Sequence, residues 1–140
     1  MDRRQTAIAE AWRWMRTPYH HHAKVFGCGV DCVHLLIAIC EASGCTRSFD
    51  PGNYACDWHI HRSEEIYVHR LVSHGAREVE VGQPGDLALF RFGRTFSHSG
   101  LLVGNDQVIH AYIGRGVILT RLTEEPLADR PVRYWTLEDM

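Results

Sequence analysis

Apolar residues recur at helical spacing near the start of the chain. Ile8, Ala11, Trp12 and Met15 form one stripe, and Asp2 with Gln5 makes a capping pair in front of it. Thr17-Pro18 closes this helix, because the residue before a proline is pushed out of the helical region. Residues 33–40 are apolar almost all round, which predicts a central helix. Asp31 is its N-cap and Gly44 its left-handed stop. Residues 46–62 hold Pro51, Gly52 and Asn53 without a period and read as loop. Ser63-Glu64-Glu65 then opens a third, weaker helix that ends near Gly75. After the Pro84-Gly85-Asp86 turn the pattern changes to strands, at residues 87–92, 97–103, 107–112, 116–122 and 131–136. Helices first and an antiparallel meander afterwards define an α+β domain, with the helices packed on a C-terminal sheet of about five strands.

Composition narrows the class further. A chain of 140 residues reads as one domain, 1–140, long enough to bury a core. With 45% hydrophobic and 23% charged residues it has the balance of an ordinary soluble protein. A net charge of -2 and no basic run give no electrostatic case for nucleic acid. The first 16 residues carry charges throughout and lack an apolar signal-peptide stretch. The longest apolar run, residues 35–40, is too short to span a membrane. Synthesis in the bacterial cytoplasm without a signal peptide is the expectation. Five cysteines outside a secretory context read as free thiols.

The candidate chemistry begins with Gly29-Val30-Asp31-Cys32, which sets Cys32 on the first turn of the central helix. The positive end of a helix dipole and its unpaired N–H groups favour a thiolate there. Far downstream, His98 and His110 each lie in a strand, where a histidine can orient a thiolate and shuttle its proton. Cys40, Cys45 and Cys56 read as small core residues. Cys28 and Cys32 with His20, His21 and His22 invite a zinc reading, but there is no Cys-x-x-Cys pair and three adjacent histidines converge poorly on one ion. No metal or cofactor is expected, and the three histidines are placed at the rim of the cleft.

Five segments occur in order: Trp14-Met15-Arg16-Thr17-Pro18-Tyr19, Gly29-Val30-Asp31-Cys32, Pro84-Gly85-Asp86-Leu87, Ser97-His98-Ser99-Gly100 and Val108-Ile109-His110-Ala111. Together they resemble the NlpC-type cell-wall cysteine peptidases of the papain-like superfamily. Cys32 lies thirteen positions after Tyr19, and His110 twelve positions after His98. A narrower resemblance, to short members encoded among phage tail and gene-transfer-agent genes, rests on Thr17-Pro18-Tyr19-His20-His21, the Gly27-Cys28-Gly29 turn and the run Asp57-Trp58-His59-Ile60-His61-Arg62-Ser63-Glu64-Glu65.

The resemblance implies roles residue by residue. Cys32 is the nucleophile, His98 its base, and His110 the third member that fixes the His98 ring. The Cys32 backbone N–H is an oxyanion donor, and Tyr19 helps line that site. Asp31 falls where some relatives bind the amino end of the stem peptide, and it is also the helix cap. Relatives commonly have serine and glycine after the cysteine, where this chain has Val33 and His34. At roughly 100° per residue His34 points away from Cys32, toward packing behind the site.

The function implied is a phage tail-associated endopeptidase acting on peptidoglycan, its bond that between D-glutamate and the diamino acid, carried at the virion tail tip. Its partners would be peptidoglycan and neighbouring tail proteins, docked through Asp57, Trp58, His59, His61 and Arg62; the bland reading of that run is a solvated loop. The alternative is a structural tail-tip or hub protein that keeps the peptidase fold with little or no activity. An acyltransferase of the circularly permuted relatives fits less well, since its histidine precedes its cysteine.

Overall fold

The computed structural model describes residues 2–44 and 75–137. The expected loop at 46–62, the third helix after it, Cys45, Cys56 and the 57–65 run lie outside the described residues. Helix α1 spans Arg3–Arg13, and Asp2 and Gln5 form the expected capping box. It ends earlier than Thr17-Pro18, so the stripe turns. Ala7 and Ala11 are buried, Trp12 is 47% exposed, and Trp14 at the C-cap is the tryptophan that enters the core.

A two-stranded hairpin follows, β1 at Lys24–Val25 and β2 at Gly29–Val30. Helix α2, Cys32–Ser43, starts on Asp31 and stops at Gly44, whose φ of 69° is a left-handed conformation that glycine adopts without penalty. Its residues from Leu35 to Cys40 are all buried, as its unbroken apolar composition requires.

The sheet has six strands rather than five: β3 (Arg77–Val79), β4 (Leu87–Phe92), β5 (Thr95–Leu102), β6 (Gln107–Tyr112), β7 (Gly116–Arg121) and β8 (Val132–Thr136). The order is β3-β8-β4-β5-β6-β7, and every pairing is antiparallel. The last strand thus inserts between the short β3 and β4. Alternation sends Leu87, Leu89, Leu101, Ile109 and Ala111 toward α2. Ala88, Phe90, Leu102 and Val108 point to the other face, where Leu127 covers them. Both faces are therefore buried, which explains why β4 reads as a continuous apolar run.

Asp86, at the turn into β4, is completely buried. It accepts from Arg4 Nη1 at 2.8 Å, Thr136 Oγ1 at 2.8 Å and the Gln83 N–H at 2.9 Å. The carboxylate so ties the first helix, the turn and the last strand together.

Candidate active site

Cys32 opens α2, and α2 packs on the strand that carries His98. The contact is made by the next residue, Ser99. Its hydroxyl donates to the Cys32 carbonyl at 3.2 Å, and its N–H and hydroxyl also approach the thiol. His98 pairs with Phe90 beside a bulge, which falls between Phe90 and Arg91 in the β4–β5 ladder. The β5–β6 ladder runs from Leu102↔Val108 to Gly100↔His110 and ends there, although both strands continue. His98 and Tyr112 lie across this unpaired stretch, with ring centroids 5.9 Å apart. Gly100 permits the close approach at the last pair, since a Cβ there would sit 2.5 Å from Val108 Cγ1 and 3.0 Å from His110 Cβ.

The two histidines meet. His98 Nε2 lies 2.8 Å from His110 Nδ1, with the rings nearly perpendicular. Phe92, 4.8 Å from His98 between centroids, and Tyr112 fill the space around the pair. On its far side His110 Nε2 lies 2.9 Å from Thr120 Oγ1. His110 is fully buried, and burial, aided by the nearby Arg115 charge, pushes its pKa down to about 4. It is therefore a neutral imidazole at any physiological pH.

The thiol departs from expectation. Cys32 is 7% exposed, and its pKa is pushed up to about 12, first by burial and then by the Asp31 charge. The Ser99 groups and the Val33 N–H act in the opposite direction and do not prevail. The helix terminus supplies its donors, but desolvation outweighs them. Cys32 therefore rests as a thiol rather than a thiolate.

Asp31 is the helix cap, and its second oxygen is taken as well. Oδ1 accepts from the His34 N–H at 2.8 Å and from His34 Nδ1 at 2.9 Å, while Oδ2 accepts from the His22 N–H at 2.8 Å. His22 stands at φ 63°, a left-handed conformation for a side-chain-bearing residue. The His34 ring is held on the cap carboxylate rather than in general packing. Tyr19 is half-buried against the core, and its backbone pairs with Val30, two residues before Cys32. Cys40 is buried, and Cys28 is exposed on the hairpin.

Ser99 and Thr120 were not singled out by sequence reasoning. Thr120 carried one signal: it is the polar residue that follows the apolar run of β7, and it is buried on the face that His110 shares. Ser99 carried none beyond its place after His98.

The Asp31 charge predicts a measurable effect. Asp31→Asn keeps a capping oxygen and removes the carboxylate next to Cys32. The thiolate fraction then rises, and iodoacetamide should alkylate Cys32 several-fold faster at pH 8, followed by mass spectrometry of the peptide that holds it. Burial, the larger cause, persists, so the pKa stays above the ordinary 9.0. An unchanged rate would show that the thiol does not feel this carboxylate.

A family model for NlpC/P60 matches residues 16–136. The chain belongs to the NlpC/P60 family. Its members are cysteine peptidases that act on peptidoglycan. Over 40 residues, 29% of this chain, it is 48% identical to the murein DD-endopeptidase MepS/murein LD-carboxypeptidase of Escherichia coli K12, and that stretch is 21% of the E. coli protein's length. Among solved structures it is similar to the NlpC/P60 domain of the peptidoglycan hydrolase SagA, at TM-score 0.60 and 19% identity over 93% of this chain and 96% of that one. It is also similar to an NLP/P60 lipoprotein-like protein from Staphylococcus aureus Mu50, at TM-score 0.65 and 18% identity, covering 97% of this chain and 41% of that one. These likenesses establish the NlpC/P60 fold, two helices against an antiparallel sheet.

Proposed function

We propose that this chain hydrolyses an amide bond in the peptidoglycan stem peptide, the bond between D-glutamate and the diamino acid, through Cys32, His98 and His110. The observation that carries the reading is the 2.8 Å contact of His98 Nε2 with His110 Nδ1, next to Ser99, whose hydroxyl reaches the Cys32 carbonyl. With Nε2 committed to His110, Nδ1 of His98 is the nitrogen that takes the thiol proton. The thiolate attacks the carbonyl carbon, and the oxyanion is received by the N–H groups at the start of α2. His98 then protonates the leaving amine, the C–N bond breaks, and a thioester remains on Cys32. Water, deprotonated by the same histidine, hydrolyses it. Tyr19, on the segment paired with Val30, lines the approach.

The phage-tail setting belongs to the same proposal. It rests on the likeness of the Thr17 to His21 segment and of the Asp57 to Glu65 run to tail-encoded members. There the protein sits at the tail tip and opens the wall for genome delivery.

Digestion of purified peptidoglycan, with the fragments identified by mass spectrometry, tests the activity and the bond together. Fragments ending at D-glutamate are expected, with turnover abolished by thiol alkylation and untouched by EDTA. Loss on chelation that zinc restores would overturn the thiol–imidazole assignment. No cleavage at all would favour the tail-hub alternative.

A further inference from the structure

The hydroxyl of Thr120 closes a chain of ring nitrogens that the proposed chemistry leaves half specified. Two contacts define it: His98 Nε2 to His110 Nδ1 at 2.8 Å, and His110 Nε2 to Thr120 Oγ1 at 2.9 Å. Thr120 is itself buried, so its oxygen has little access to bulk water. Between two imidazole nitrogens at hydrogen-bond distance, one must carry the hydrogen and the other the lone pair. A neutral His110 has a single N–H to place, which leaves two arrangements.

If the hydrogen is on His110 Nδ1, it donates to His98 Nε2. His98 then carries its own hydrogen on Nδ1, which cannot accept the thiol proton. If the hydrogen is on His110 Nε2, Thr120 Oγ1 accepts it and Nδ1 accepts from His98 Nε2–H. The lone pair of His98 is then on Nδ1. Only the second arrangement works as a base, and only it serves the His98 imidazolium, which must donate from Nε2 as well.

We infer that Thr120 is a positioning residue of this site, accepting the His110 Nε2–H and so holding His110 Nδ1 as the acceptor that orients His98. The inference deepens the proposed function and rests on it for its catalytic consequence, but the tautomer itself can be read without substrate. Thr120→Val keeps shape and burial while removing the hydroxyl, and Thr120→Ser keeps the hydroxyl.

Nitrogen-15 NMR of histidine-labelled protein reads the His110 tautomer directly. The parent and Thr120→Ser should show His110 protonated at Nε2, and Thr120→Val should show a substantial Nδ1–H population. On peptidoglycan, Thr120→Val should lower kcat by about ten- to a hundredfold, as loss of an outer-shell orienting partner does. KM should change little, and Thr120→Ser should recover most of the loss. A parent protein with His110 protonated at Nδ1, or a valine variant with tautomer and kcat unchanged, overturns the inference. A parent that shows the Nε2–H tautomer, loses it in the valine variant, and yet cleaves no peptidoglycan upholds the inference about His110 and sinks the proposed function.

Discussion

Alanine at Cys32 is expected to take turnover on peptidoglycan to background while leaving the fold intact. The side chain is small, and the carbonyl that accepts from Ser99 belongs to the backbone, so the helix keeps its seat on β5. His98→Ala should be nearly as severe, and the double variant little worse than either, because in the proposed mechanism nucleophile and base act as a unit. A fall of roughly four orders of magnitude or more is the scale for such a unit. His110→Ala should cost less, because water can replace part of an orienting contact. Each variant is measured by release of soluble fragments, with circular dichroism as the control for folding. In the tail-tip setting, Cys32→Ala particles should assemble normally and deliver DNA poorly through an intact wall. Equal infection by parent and variant would favour the hub reading.

The largest effect on stability should come from a residue remote from the chemistry. Asp86→Ala strips three donors of their acceptor in one step: Arg4 Nη1, Thr136 Oγ1 and the Gln83 N–H. The Asp86 side chain is fully buried, and that of Arg4 is 19% exposed, so the guanidinium left behind is largely desolvated. Breaking a buried pair from one side costs about 3–5 kcal/mol. Arg4 also donates to the Pro84 carbonyl at 3.1 Å, which softens the loss without removing it. Urea unfolding should show the midpoint falling sharply with the m-value unchanged. A loss below about 1 kcal/mol, the worth of an exposed ion pair, would mean that solvent reaches the site freely.

The central helix was legible to the residue, because both its ends are written in side chains that cap: Asp31 before Cys32 and Gly44 after Ser43. Strands β4 and β6 were equally plain, each a run of six bounded by turn residues. The hairpin strands and β3 escaped because two or three residues cannot display a period. The α1 stripe was misread at Trp12. The buried line of the helix runs through Ala7 and Ala11, Trp12 lies one residue round from it, and the inward place is taken by Trp14 at the C-cap.

Within the site, the order of Cys32, His98 and His110 was visible along the chain, but the groups that tune them were not. Ser99 meets Cys32 only because α2 crosses β5 at that height, and Thr120 meets His110 only through the register of β6 on β7. Neither relation has a linear signature. The thiolate expectation failed for want of one quantity. A helix terminus can be read from sequence, whereas the burial that overrides it depends on the packed structure.

The Ser99 to Cys32 contact joins residues 67 apart in the chain. Contacts of such separation form late, after the loop-closure entropy has been overcome by the surrounding sheet. On a ribosome moving at roughly 5–20 residues per second, the cysteine emerges several seconds before the strand it needs. Until β5 is in place, the growing chain carries Cys32 without its Ser99 contact. Completion of the sheet is thus the step that brings Ser99 to Cys32.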